Sequence, residues 1–219
     1  MRPLTTDYPK PLLKIGKLTL LDHLVSKFPK EINELIIVIR YLGDKIMDHC
    51  GSKFYSRKVT YVRQSDNVKG TYAALKACQN LLIPGEKFFV FYADDLIDNK
   101  CIKECLNYKK GIVVSKVKDA TKFGVVQLRP DGSLLAILEK PERPPTDLAL
   151  TSVMLLDTEI FNYYPGTASN GDEYLSVAIE KMAKDHFVNV IFTDKWIPIG
   201  FPEDLIKAEQ WFDAAHHKC

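Results

Sequence analysis

The sequence predicts an α/β fold with a mixed, mostly parallel sheet flanked by helices, on three observations. Strand and helix patterns alternate from about Lys17 to Gly111. Two apolar runs, LIIVI at 35–39 and FFVFYA at 88–93, fall far short of the ~20 residues of a membrane span and read as buried strands. Beyond Ile112 apolar strands follow one another quickly, with Pro-Asp-Gly between two of them. At 219 residues the chain is long enough for a sizeable core.

The elements follow in order. A helical stretch over 18–28 leads into a buried strand at 34–40, and a short helix over 44–50 precedes a strand at 58–62. A helix over 69–81, a strand at 87–92 and a helix over 100–109 come next. Strands spaced by helices in this way predict βα units and parallel pairing. Strands at 112–117, 123–128 and 134–138 follow, the last two joined by Arg129-Pro130-Asp131-Gly132-Ser133. Proline there presets φ and glycine accepts φ > 0, which makes the string a turn. A proline-rich loop, KPERPPTD, covers 140–147. A strand at 149–156, two helices, a strand at 187–192 and a last helix from Pro202 finish the chain. No internal repeat or low-complexity segment appears, so the reading is one domain, 1–219, whose second half is more antiparallel.

Composition narrows the function classes. Hydrophobic residues make up 46% and charged residues 26%, as in ordinary folded proteins. A net charge of +2 gives no reason to expect nucleic acid or a membrane as partner. No charged-then-apolar start suggests a secretory signal. The cysteines (Cys50, Cys78, Cys101, Cys105, Cys219) are scattered and odd in number. Cys101 and Cys105 are four apart, but a structural zinc wants four ligands and no second pair is near, so reduced thiols are expected. The terminal His216-His217-Lys218-Cys219 reads as a disordered end. Together these favour a cytoplasmic protein.

Five strings carry candidate chemistry. Lys10 stands between Pro9 and Pro11, a stiff segment that suits a cation holding a phosphate, although an exposed loop lysine reads the same. Gln64 precedes Gly70-Thr71 at a strand-to-helix junction, where a glycine lets backbone N–H groups approach a nucleotide or simply starts the helix. Asp94 and Asp95 end a buried strand, the place where open α/β sheets bind ligands, and paired carboxylates there suit Mg²⁺. The alternative is that Asp95 and Asp98 cap the next helix. Phe123-Gly124-Val125 and Glu139-Lys140-Pro141 offer a carboxylate for sugar hydroxyls and a lysine for a phosphate, or a solvated strand end. Finally, WIPIGFPED at 196–204 makes a good helix start, with Pro202 in the first turn and acids at the positive end.

In this order the strings resemble the sugar-1-phosphate nucleotidyltransferases, whose motifs read roughly GxGTRMRPLT…PKPL, Q…GTAxAL, a strand ending in GD, YGV…EKP and WxDIGTPED. MRPLTTDYPKPL, QSDNVKGTYAAL and FYADD answer the first three, and FGV…EKP and WIPIGFPED the last two. The resemblance implies the Rossmann-like nucleotide-diphospho-sugar transferase fold, with a nucleotide-binding half over 1–111 and a sugar-phosphate half over 112–219. It implies Lys10 as the catalytic cation at the phosphates, and Gln64, Gly70 and Thr71 at the nucleotide. Asp94, rather than Asp95, would hold Mg²⁺. Gly124 and Glu139 would contact the sugar, and Lys140 its phosphate. The implied substrates are a nucleoside triphosphate and a sugar 1-phosphate, giving a nucleotide sugar and pyrophosphate by in-line attack. A homo-oligomer is compatible with this.

Departures from the pattern carry expectations too. With Met1 as first residue, the family's first strand, glycine loop and arginine are expected to be missing, and Arg2 is not that arginine. The strand lies inside the family's sheet, so its two neighbours would have unpaired edges. The motif's aspartate, a second metal ligand, is Pro198 here. Asp194 lies roughly 13 Å back along an extended strand and cannot substitute. The family's N-x-G appears as Leu150-Thr151-Ser152, and the Thr-Asp of EYxLTDAI as Ser176-Val177. These changes support an alternative: a non-catalytic relative that binds a nucleotide sugar or a partner subunit. The motifs do not choose the base or the sugar, and the length favours compact single-domain members.

Overall fold

The computed structural model describes residues 4–216. Met1, Arg2, Pro3 and the terminal 217–219, with most of the His-His-Lys-Cys string, lie outside the described residues. A small hairpin of β1 (Lys14–Ile15) and β2 (Leu18–Thr19) leads into α1 (Leu20–Val25). There the Thr19 hydroxyl accepts the Asp22 N–H, and the Asp22 carboxylate accepts the Thr19 N–H. This reciprocal capping box fixes the helix start. β3 (Glu34–Ile39), α2 (Gly43–Cys50), β4 (Lys53–Phe54), β5 (Arg57–Arg63) and α3 (Thr71–Ala77) follow. Then come β6 (Lys87–Phe91), β7 (Asp95–Ile97) and α4 (Asn99–Cys105). The second half holds β8 (Gly111–Lys116), β9 (Gly124–Leu128), β10 (Leu134–Glu139) and β11 (Leu148–Asp157). It ends with α5 (Leu175–Met182), β12 (Asn189–Phe192), β13 (Trp196–Pro198) and α6 (Pro202–His216).

The α/β class holds, and the sheet is mixed. Among the described residues, parallel pairing of strands is confined to β3 with β5 and β12 with β8, so the expected mostly parallel sheet is corrected. The reason is the long strand β11, which runs antiparallel to every neighbour. One edge of it pairs β8, and the other meets β9 at Ala149 and β6 from Val153 onward. Among the described residues, β3 pairs only β5 and β6 pairs only β11, so each keeps one edge without a strand partner. Apart from the buried Ile39, their apolar residues are half-buried, where those of β8 and, Leu150 excepted, β11 are buried.

Alternation along β8 and β11 builds the two faces. Val113, Val153 and Leu155 pack with α1, α2 and α4 residues on one side, while Ile112, Val114, Met154 and Leu156 pack with α3 and α5 on the other. A third, small cluster joins Ile15, Leu20, Leu96, Ile199 and Ala208, holding the β1–β2 hairpin and α6 against the β7–β13 pair. Cys50, Cys78, Cys101 and Cys105 are free and buried. Burial pushes their thiols up, Cys78 to about 11 and the other three to about 12, so they stay protonated.

Two helical expectations change. The helix over 69–81 breaks after Ala77 into a 3-10 turn, Gln79–Leu81. Between β11 and β12 the two expected helices are one 3-10 turn, Thr158–Asn162, and α5. The segment between them carries Gly166, Asn170 and Gly171, and closes on itself through Ala168 N–H to Asp172 O and Gly171 N–H to Ala168 O.

Candidate active site

The site gathers beyond the carboxyl end of β6. Lys10, in a one-turn 3-10 helix set by Pro9 and Pro11, places its Nζ 2.6 Å from Asp94 Oδ2. Asp94 keeps 35% of its side chain exposed, while Asp95 turns inward and is buried. Trp196 Nε1 donates to Asp95 Oδ2 at 2.8 Å across the β7–β13 pair. Burial and the charge of Asp94 push Asp95 up to about 7, against the pull of Trp196, Lys10 and the nearby Ser152 hydroxyl. Two adjacent acids therefore differ. Asp94 faces outward as an ion pair, and Asp95 serves packing. Asp98, not Asp95, caps α4 by accepting the Lys100 N–H.

An outward carboxylate of this kind suits Mg²⁺, which takes one or two protein carboxylates and completes its shell with phosphates and water. The second acid of the family pattern is absent, because Pro198 pairs in register with Asp95 and has no ligating side chain. Position 198 is thus beside the acidic strand end, and Asp194 is exposed on the preceding bend.

The Gln64–Thr71 segment is tied inward. Gln64 Nε2 donates to the carbonyls of Val68 (3.1 Å) and Gly70 (3.4 Å). Gly70 has φ +100°, and a Cβ there would sit 2.3 Å from the Glu173 carbonyl oxygen. The close approach that requires glycine is therefore to the backbone of the 172–175 loop. Tyr72 N–H donates to Glu173 O, Glu173 N–H to Lys69 O, and Leu175 N–H to Thr71 Oγ1, each at 2.9 Å.

The second half supplies a carboxylate over bare backbone. Gly124 and Glu139 are opposite each other in the β9–β10 pair, and a Cβ on Gly124 would lie 3.4 Å from Glu139 Oε2. Ser176 Oγ donates to the same oxygen at 2.7 Å. Lys140 is exposed at φ +45°, its N–H held by the Phe123 carbonyl. Phe123 meets the Trp196 ring edge-on, 5.1 Å between centroids.

Tyr92, which sequence reasoning passed over, links the groups. Its phenol lies near the Thr71 side chain and feels the charges of Glu139, Asp95 and Asp94, although burial is the main cause of its raised pKa. The only signal in the sequence was a hydroxyl within an otherwise apolar strand. Thus Lys10 meets Asp94, Gln64 meets Gly70, Gly124 meets Glu139, and Tyr92 lies near Thr71, Glu139, Asp94 and Asp95.

The open, mixed α/β fold is that of the nucleotide-diphospho-sugar transferases. The chain belongs to the nucleotidyl transferase family, whose model matches residues 1–214. It is 27% identical over 214 residues to the bifunctional protein GlmU of Methanocaldococcus jannaschii, covering 96% of this chain and 51% of that protein. It is 28% identical over 220 residues to the bifunctional sugar-1-phosphate nucleotidylyltransferase/acetyltransferase of Sulfurisphaera tokodaii, covering 96% and 52%. The chain spans about half the length of these relatives. A solved UDP-glucose pyrophosphorylase bound to UDP-glucose superposes with a TM-score of 0.83 at 22% identity, covering 98% of this chain and 94% of that one. No helix among the described residues is long and apolar enough to cross a membrane.

Proposed function

We propose that this chain joins a nucleoside triphosphate to a sugar 1-phosphate, releasing pyrophosphate and a nucleotide sugar. The observation that carries this reading is the Lys10–Asp94 pair at the end of β6, in a chain of the nucleotidyl transferase family. Lys10 binds phosphate oxygens and orients the α-phosphorus, its stiff segment limiting the geometries it samples. Asp94 would hold Mg²⁺, which supplies charge neutralisation on the phosphates. Gln64, Gly70 and Thr71 shape the nucleotide pocket, and the 172–175 loop docked on Gly70 keeps that pocket in register with the second half. Glu139 accepts hydrogen bonds from sugar hydroxyls above Gly124, and Lys140 binds the sugar's phosphate. That phosphate attacks in line, so no covalent enzyme intermediate forms. The same chemistry gives a protein of the cytoplasm, where nucleoside triphosphates are held.

A second reading, a nucleotide-sugar-binding relative without turnover, is favoured by Pro198 beside Asp95. Pyrophosphate release separates the two. UTP or dTTP with glucose, mannose or N-acetylglucosamine 1-phosphate and Mg²⁺ should give pyrophosphate that EDTA abolishes. Binding of UDP-glucose with no release from any pair would instead establish the second reading.

A further inference from the structure

We propose that Ser176 is a positioning residue for the Glu139 carboxylate and thereby controls capture of the sugar phosphate; this rests on the transferase reading above. Glu139 is half-buried at the end of β10, and among the described residues no lysine, arginine or histidine forms an ion pair with it. Its Oε2 is held instead by a neutral donor, the Ser176 hydroxyl, at 2.7 Å. A cation there would orient the carboxylate and also compensate its charge. A hydroxyl orients it and leaves the full charge available to sugar hydroxyls on the other oxygen.

The hydroxyl is itself fixed. Ser176 is 4% exposed in the first turn of α5, which packs against β10. The start of α5 is fastened by Leu175 N–H to Thr71 Oγ1 and by the paired backbone bonds of Glu173 with Lys69 and Tyr72. The segment proposed to hold the nucleotide therefore sets where Ser176 lies, and Ser176 sets Glu139. A glutamate with one oxygen already bonded loses less rotamer freedom when the sugar arrives. Gly124 completes the arrangement, since a Cβ there would crowd Ile137 at 3.3 Å and stand in contact with Glu139 Oε2 at 3.4 Å.

Steady-state kinetics of the wild type, Ser176→Ala and Ser176→Thr test this, using UTP and dTTP against glucose, mannose and N-acetylglucosamine 1-phosphate. In the pair that the wild type turns over, Ser176→Ala should raise the KM for the sugar phosphate about tenfold, the scale of one hydrogen bond to a charged group. The KM for the triphosphate should stay unchanged, and Ser176→Thr should restore the wild-type sugar-phosphate KM. An unchanged sugar-phosphate KM in Ser176→Ala overturns the inference, as do equal rises in both KM values or failure of threonine to rescue. A wild type inactive with every pair overturns the transferase reading and this inference with it.

Discussion

Lys10 Nζ and Asp94 Oδ2, 84 residues apart in sequence, form a 2.6 Å ion pair. The segment proposed to bind phosphate and the acid proposed to bind metal thus satisfy each other in the free protein. A cation at Asp94 competes with Lys10 for the carboxylate, and a phosphate competes with Asp94 for the ammonium, so the two binding events are coupled.

This coupling gives opposite effects in one variant. Lys10→Ala should bind Mn²⁺ in the absence of nucleotide severalfold more tightly, because the carboxylate has lost a competing cation of a partly exposed pair. Its turnover should fall about 10²-fold, the scale of losing one preorganised electrostatic contact. Electron paramagnetic resonance of Mn²⁺ and a pyrophosphate assay read the two separately. Weaker metal binding in Lys10→Ala would refute the coupling.

Pro198 pairs with Asp95, so a side chain at this position stands next to the acidic end of β6. Pro198→Asp should raise Mg²⁺-dependent turnover by supplying a second carboxylate. It also adds charge near Asp95, which burial and Asp94 already push up to about 7, so a modest fall in stability should accompany the gain. A folded variant that binds UTP yet shows no gain would refute the idea that a missing metal ligand limits this chain.

What was legible in the sequence follows physical locality. The strands β8, β9 and β10 and the Arg129–Ser133 turn were read nearly to the residue, because alternation and turn chemistry act over a few positions. The family resemblance favoured Asp94 over Asp95 as the metal ligand; the structure leaves Asp94 partly exposed and buries Asp95. The short strands β7 and β13 escaped, being three residues each and carrying Pro198. So did the antiparallel dominance, because partner choice for β11 is decided by residues far apart in sequence. The docking of Glu173 on Gly70 and the Leu175–Thr71 hydrogen bond lie in the same non-local class.

Gly70 and Gly85 provide a matched pair for the docking contact. Both have positive φ, +100° and +80°, but a Cβ at Gly70 would strike the Glu173 backbone at 2.3 Å whereas Gly85 opens onto free space. Gly85→Ala should cost about 1 kcal/mol from backbone strain alone. Gly70→Ala should cost about 3 kcal/mol or more, since the 172–175 loop must move, and should weaken UTP binding as well. Urea unfolding and calorimetric titration with UTP measure both effects. Equal costs at the two sites would show that the loop yields freely.

Asp22 predicts a pH dependence remote from the site. Burial raises its pKa, but the Thr19 hydroxyl, the Thr19 N–H and the His49 ring outweigh that and hold it below the usual 3.8. His49 Nε2 lies 3.2 Å from each Asp22 oxygen, joining α2 to the capping box of α1. A carboxylate whose folded pKa is depressed contributes stability that is present above the unfolded value and is lost as pH falls through the folded one. Asp22→Asn should therefore cost about 1–3 kcal/mol near pH 7, with the gap to wild type narrowing only below about pH 4. Urea unfolding between pH 7 and pH 2.5 measures the gap, and a gap that stays constant on acidification would mean that the charge of Asp22 does not hold the α1 cap.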